Sequence, residues 1–351
     1  MDLELTEEQQ LLRETVRGLC TRHAGLDVVR DLENDPLGYP EKFWLQLGEA
    51  GLLDVSELSM LDAVVMYQEL GRAIAPSPHF VSAVMSGGVL RQAGSEWLGR
   101  VTSGEAIITP AWLEPEGGFG ATGVQVRVDG DGRVTGTKRH VQFASAADRL
   151  LVLARTADDQ VGYVLVDPKA EGVTLAQQQT ISYDTQHRVD FADAPGELVG
   201  TSGWQVWDKV MRDGIILLAA QAVGGARHAL DITVQYAKDR HQFDKPLGAF
   251  QAIAHYLADA VTTVDGAETL VYEAAWARDN GQPTARLAPM AKLFACQTFR
   301  DVTAMAQQVF GGVGFTVEYD IQLYFRRAKQ LQISWWNDRY LEELIATDVL
   351  D

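Results

Sequence analysis

The chain has 351 residues, 46% of them hydrophobic, too long for one compact helical core and ample to bury two or three. Its 48 acidic and 30 basic residues give a formal charge of −18, spread along the sequence, which argues against nucleic acid or an anionic membrane surface as a partner. Two distant cysteines, Cys20 and Cys296, form no metal or disulfide framework and fit a reducing, cytoplasmic compartment.

The first hundred residues read as helices. The opening MDLELTEEQQLL is acidic and amphipathic, unlike a signal peptide. Within it Thr6-Glu7-Glu8-Gln9 has the form of a capping box, and Leu11, Leu12, Val16 and Leu19 mark one apolar face. Further helices are expected over residues 40–50, stopped by Gly51, over 59–74, ahead of Pro76 and Pro78, and over 81–93. Near Gly104 the period changes from helical to alternating. Residues 124–128, 150–154, 162–166 and 187–191 are predicted strands. Asp129-Gly130-Asp131-Gly132 is a hairpin turn, and Asp193-Ala194-Pro195-Gly196 closes a small antiparallel barrel or sandwich. From Gly203 the helical period returns, over 206–239, 250–275, 289–310, 317–330 and an acidic 337–350. No run reaches the ~20 apolar residues of a membrane span; the longest, residues 214–225, is alanine-rich and suits a buried core helix. The expected architecture is α+β, with an N-terminal helical domain at 1–105, a middle antiparallel β domain at 106–202 and a C-terminal helical bundle at 203–351.

Two stretches carry chemistry. Residues 240–251, RHQFDKPLGAFQ, lie between two long helices and form the turn of a helical hairpin, with Lys245-Pro246-Leu247-Gly248 as the turn residues. A surface loop is the plain reading. Yet a cation (Arg240), two amides (Gln242, Gln251) and a ring (Phe243) around one turn suit a nucleotide pyrophosphate and adenine. Residues 308–328, QVFGGVGFTVEYDIQLYFRRA, place glycines just after a helix. No strand precedes them, so they are not a dinucleotide fingerprint. Backbone without Cβ atoms lets a flat or charged ligand approach; a helix C-cap with a tight turn is the alternative. Trp335-Trp336 reads as a packing anchor or as the wall of a hydrophobic pocket.

Together these stretches resemble the acyl-CoA dehydrogenase family. RHQFDKPLGAFQAIAHYLAD resembles its arginine–aromatic–glutamine FAD segment, QVFGGVGFTVEYDIQLYFRRAK its glycine-rich segment, and LTEEQQLLRETVRGL its opening helix. The helical–β–helical order also matches, so the resemblance spans essentially the whole chain. In that family the two segments hold the ADP half of an FAD whose flavin ring sits in a neighbouring subunit. The resemblance thus implies FAD contacts at Arg240, Gln242, Phe243, Gln251, Gln308, Gly311 and Gly312. Asp244 departs from the family's usual Gly after the aromatic residue and adds a negative charge there.

The implied reaction removes the Cα proton of an acyl-CoA thioester while the Cβ hydride passes to flavin, which requires a carboxylate base. Neither family position for that base holds one here. One, counted from Arg327-Ala328-Lys329, falls on Trp335 within Ser334-Trp335-Trp336; the other falls on Gly214, beside Asp213. The flavin-ring segments depart too. The Thr-Glu-Pro loop reads Trp112-Leu113-Glu114-Pro115, and the Trp-Ile-Thr strand reads His140-Val141-Gln142. The chain therefore resembles the non-catalytic subunit of actinobacterial heteromeric (α2β2) steroid-type acyl-CoA dehydrogenases. That resemblance implies a catalytic paralogue as partner, a steroid side-chain CoA ester as the acyl-CoA, and electron-transferring flavoprotein as acceptor. No residue is assigned as catalytic. Two alternatives stay open: a self-sufficient homomer with Asp213 or Asp338 as a displaced base, and a flavin-free acyl-CoA-binding scaffold on the same fold.

Overall fold

The computed structural model describes residues 4–350; the first three residues of the acidic N-terminal stretch, and Asp351, lie outside the described residues. In chain order the elements are α1 (Glu7–His23), α2 (Leu26–Asp31), α3 (Glu41–Glu49), α4 (Met60–Arg72), a π-helical turn (Phe80–Ser86), α5 (Gly87–Ala93) and α6 (Trp97–Thr102). Then come β1 (Ile108–Ala111), β2 (Arg127–Val128), β3 (Arg133–Gln142), β4 (Arg149–Arg155), β5 (Val161–Val166), β6 (Val173–Gln178) and β7 (Gln186–Ser202). The rest is α7 (Trp204–Asp239), a β8–β9 hairpin (His241–Gln242, Lys245–Pro246), α8 (Gln251–Asp279), α9 (Leu287–Phe310), α10 (Ile321–Ile333) and α11 (Asp338–Leu350). These fall into two compact units, one holding Asp27–Glu57 and Pro76–Gly214, the other the remainder of the chain.

The first unit is built on a barrel. β4 pairs with β5, β5 with β7, β7 with β3 and β3 with β2, all antiparallel. A single parallel pair, Arg127 opposite Arg155, then returns β2 to β4. The five strands close on themselves, so the sheet is a barrel and not a sandwich. β1 adds in parallel to β4 and β6 adds antiparallel to β7. β4 and β5 are buried along nearly their whole length, which is why they read as unbroken apolar runs.

Two expectations fail here. Of residues 124–128 only Arg127–Val128 is strand, because the amides of Gln125 and Val126 donate to the Glu114 carboxylate at 2.8 and 2.9 Å rather than to a neighbouring strand. Residues 193–196 do not close the domain either. They form a corner inside β7, whose partner changes from β3 at Pro195 to β5 at Gly196. Asp193 bends there with φ of 58°, and Gly196 is required because a Cβ would come within 2.5 Å of Val164 Cγ1. In the helical part of this unit His79 is buried, its Nε2 2.9 Å from the Leu52 carbonyl. Burial pushes the imidazole down to about 4.

The second unit is a helical bundle. Thr6 and Ser59 each form a full capping box, at α1 and α4. The Met60 and Leu61 amides donate to the Asp279 carboxylate at 2.8 and 3.1 Å; an acid at a helix N-terminus is favourable on both hydrogen-bonding and dipole grounds. α4 and α7 cross backbone to backbone: a Cβ on Gly71 would collide with the Gln221 carbonyl, and one on Gly224 with the Gln68 carbonyl. α10 starts at Ile321, not at residue 317. The amides of Gly314, Thr316 and Tyr319 bond three residues back, to Gly311, Val313 and Thr316, and keep the segment in tight turns. By length and composition α7 would pass as a membrane span, against the expectation of no such run, but 72% of its apolar window is buried inside the protein. It is a core helix, as the alanine-rich stretch suggested.

Two outcomes follow from these contacts. Gly224→Ala forces the α4–α7 crossing apart and should destabilise by about 1–3 kcal/mol, the usual cost of overpacking, read as a lower urea midpoint. For His79 the native pKa lies below the ordinary 6.5. Between pH 6.5 and about 4 the unfolded chain therefore takes up a proton that the native chain refuses. Stability should fall across that window by up to about 3 kcal/mol, and His79→Gln, which keeps an N–H donor, should flatten the slope in urea titrations at pH 7 and 4.5.

Candidate nucleotide site and the base positions

α7 ends at Asp239, and the chain reverses through the β8–β9 hairpin, with His241 opposite Pro246 and Gln242 opposite Lys245. The tight turn is Phe243-Asp244, with φ of 53° and 60°, and not Lys245–Gly248 as expected. Two central residues with positive φ are what a two-residue hairpin requires. Lys245-Pro246 instead form β9, and Leu247–Ala249 make a 3-10 turn leading into α8. The constraint also explains Asp244: the position demands left-handed backbone, which Asp adopts more readily than most residues. Phe243 sits in the same region, is 88% exposed, and meets only the edge of Phe250, with ring centroids 6.3 Å apart.

Behind the hairpin lies a cavity of about 460 Å³ between the ends of α7 and α9. Its aromatic wall is Tyr236 stacked on Phe310 at 4.0 Å, with Tyr319 edge-on to both. Its polar lining is Asp239, Arg240 and Gln242. The Arg240 guanidinium has no ion pair among the described residues, while Asp239 accepts a hydrogen bond from Gln235 at 2.8 Å. Gly311 follows α9 with φ 66° and ψ −143°, a conformation open essentially to glycine alone. Gly312 lines the cavity, and a Cβ built on it meets nothing within 4 Å.

Of the seven residues expected at the nucleotide, Arg240, Gln242 and Gly312 line this cavity. Phe243, Gln251, Gln308 and Gly311 are exposed outside its lining. The aromatic wall was not foreseen. Its one sequence signal is spacing, since Tyr236 lies four residues before Arg240 and so on the same helix face.

The two positions where a base was sought hold none. Trp335 and Trp336 both have positive φ, 53° and 71°, and both are buried, which answers the open reading in favour of a packing anchor. Lys292, also fully buried, donates to the Trp336 carbonyl at 2.9 Å and the Leu331 carbonyl at 3.2 Å. Burial pushes its ammonium below the usual range. Asp338 Oδ2 accepts from Gln332 Nε2 at 2.6 Å, so one oxygen of that candidate is tied to the end of α10. At Gly214 a Cβ would come within 2.9 Å of Met85 Sδ and 3.3 Å of the Phe80 ring. The space an acidic side chain would occupy there is filled.

In the barrel unit, Glu114 is structural. Its Oε1 accepts from Lys138 Nζ at 2.7 Å as well as from the two amides named above. Lys138 also donates to the Trp112 carbonyl, and its desolvation outweighs the pull of Glu114, pushing it down to about 8. Trp112 packs on Phe119 and Trp207. No hydroxyl stands at Leu113 or Gln142. Lys138→Met would leave a buried carboxylate with amide partners only. The barrel unit should lose about 3 kcal/mol, checked by chemical unfolding, and restoring neutrality with Glu114→Gln should recover part of it.

Comparisons with known proteins bear on the whole chain. Residues 6–105 match the acyl-CoA dehydrogenase N-terminal domain and residues 201–350 the C-terminal domain. The chain is 30% identical over 335 residues to the acyl-CoA dehydrogenase IpdE2 of Mycolicibacterium smegmatis, covering 92% of this chain and 93% of that protein. Among solved structures it is similar to a chain of the ChsE4–ChsE5 complex from Mycobacterium tuberculosis, with TM-score 0.89 and 25% identity over 100% and 99% of the two chains. It is similar as well to a chain of the Tcur3481–Tcur3483 steroid ACAD, with TM-score 0.87 and 29% identity over 98% and 99%.

Proposed function

The chain belongs to the acyl-CoA dehydrogenase family of FAD-dependent oxidoreductases, and we propose that within it the chain is the non-catalytic subunit of a heteromer. The observation that carries this reading is a split. A cavity with a free arginine, an aromatic wall and bare glycine backbone is fully built, while Trp335 and Gly214 stand at the two base positions. A flavin whose ring belongs to a neighbour needs only nucleotide contacts from this chain, so such a subunit keeps them and dispenses with its own base.

The residues fit the ADP half of FAD. Arg240 would meet pyrophosphate oxygens as a charge-assisted donor. Gln242 would supply an amide and Gly312 would let the cofactor approach the main chain, while Phe243, Gln251, Gln308 and Gly311, outside the cavity lining, would reach only parts of the cofactor that extend beyond it. Tyr236, Phe310 and Tyr319 offer the remaining aromatic surface. FAD, when bound, supplies the hydride acceptor. The ring-side positions fit it poorly, since Leu113 and Gln142 offer no hydroxyl and Glu114 is held by Lys138.

The catalytic paralogue then provides the carboxylate that takes the α-proton, in an α2β2 assembly. Two of the similar structures are of two-component proteins, and one of these is a steroid ACAD. That supports a steroid side-chain CoA ester as the acyl-CoA, with electron-transferring flavoprotein as acceptor. Both cysteines are free and buried, in keeping with the cytoplasm. The matched regions flank the barrel and support helical, β and helical domains at 1–105, 106–202 and 203–351.

Flavin content and subunit stoichiometry test this reading. The chain purified alone should be colourless, and with its paralogue should carry one FAD per heterodimer. Arg240→Ala in the complex should weaken FAD retention about tenfold or more, as expected for a lost charge-assisted contact. A yellow homomer with one FAD per chain that oxidises an acyl-CoA would overturn the proposal.

A further inference from the structure

The helical bundle carries two adjoining, half-open polar chambers of about 160 and 230 Å³. Arg17, Glu69, Arg72 and His228 line both, and neither shares a residue with the nucleotide cavity. Most of the charge is matched. Arg17 makes a two-point pair with buried Glu69, at 2.8 and 2.6 Å, which is neutral in sum. In the larger chamber Arg227 bonds Asp265 and Glu268, at 2.5 and 2.9 Å.

In the smaller chamber Arg72 is left over; in the larger, Arg13 and Asp231 also line the space without an ion pair among the described residues. The Arg72 guanidinium has no ion pair among the described residues, while its carbonyl accepts the Tyr324 hydroxyl at 2.7 Å. Beside it His228 rests edge-on to Tyr324, with ring centroids 5.6 Å apart, and its Nδ1 is buried without a partner among the described residues. The other ionisable groups of the smaller chamber, Cys20 and Tyr324, are held neutral by burial. That chamber therefore carries a net positive lining inside a chain of charge −18. At ~30 Å³ per water it has room for several solvent-sized atoms.

We propose that the smaller chamber binds a small oxyanion, a phosphate or a carboxylate, held by the Arg72 guanidinium with the accessible His228 nitrogen, Nε2, as a second donor. Planar guanidinium groups recognise both anions by paired hydrogen bonds. Burial, and after it the charge of Arg72, keeps His228 below its ordinary value, so the imidazole donates as a neutral N–H. The bound anion would join α4, through Arg72, to α7, through His228, and so stabilise the bundle by linkage. The site does not rest on the proposed subunit role.

Isothermal titration of the full chain, alone or in its complex, tests the site with sodium phosphate and with sodium acetate, each against sodium chloride at matched ionic strength. Saturable binding of one anion per chain is expected, weakened more than about tenfold by Arg72→Gln. The exposed Arg339→Gln should have no effect. His228→Phe keeps the ring against Tyr324, removes the donor, should weaken binding several-fold, and stands in if Arg72→Gln does not fold. Whichever anion binds identifies the source. Binding of neither, or wild-type binding by both site variants, overturns the proposal.

Discussion

The close approach of α4 and α7 is the constraint on which the helical unit depends. Gly71 faces the Gln221 carbonyl and Gly224 faces the Gln68 carbonyl, so the two backbones touch with no side chain between them. Contact at that range fixes the separation of two helices as bulkier residues cannot, because backbone does not change rotamer. α7 is 36 residues long, about 54 Å at 1.5 Å per residue, and its far end carries Tyr236, Asp239 and Arg240. The nucleotide cavity is thus aimed by a rigid rod anchored near its middle. Arg72 and His228 stand one and four residues from the two crossing glycines, which is why their side chains look into a space that the packed backbones cannot fill.

Buried charge divides by partner. Glu114, with two amides and a lysine on one oxygen, holds a loop in place. Lys292 meets only carbonyls, and it clamps the Trp335-Trp336 turn in a backbone conformation that two indoles would not choose unaided. Arg240 and Arg72 are different. Each faces a cavity with its hydrogen-bonding capacity free of any ion pair among the described residues, and an unmatched guanidinium beside open space is the feature of this chain that asks for a ligand.

Local signals in the sequence were legible where a few adjacent residues sufficed to produce them. The Thr6 capping box, the helix after Ser59 and the apolar runs of β4 and β5 are of this kind. So was the cation at Arg240, because its chemistry does not depend on neighbours. Turns were misplaced where the deciding fact was a distant partner or a backbone angle. Lys245-Pro246-Leu247-Gly248 has turn composition, yet strand pairing put the reversal at Phe243-Asp244. Residues 124–128 alternate like a strand, yet Glu114 took their amides. The barrel closure rests on one residue pair, Arg127 with Arg155, which no periodicity reveals. The wall of Tyr236, Phe310 and Tyr319 draws on three separate segments, and only folding brings them together.

On the proposed reading, the absence of a base and the presence of a nucleotide cavity are independent features at independent places. The Trp335-Trp336 turn is well packed: Trp336 lies edge-on to Tyr340 at 5.4 Å, its carbonyl held by Lys292. A side chain so embedded stabilises the bundle, so replacing it by an acid would leave a cavity and a buried charge together. The cavity behind the hairpin differs. Its polar contacts, Asp239, Arg240 and Gln242, lie at a helix end and in the hairpin, outside the hydrophobic core, although Val309 and Phe310 behind them belong to it. Arg240 is exposed and unpaired and does nothing for folding that a lysine or glutamine would not do. A cation so placed is available to a ligand, and this is the physical ground for proposing that the chain is a subunit that holds its neighbour's cofactor.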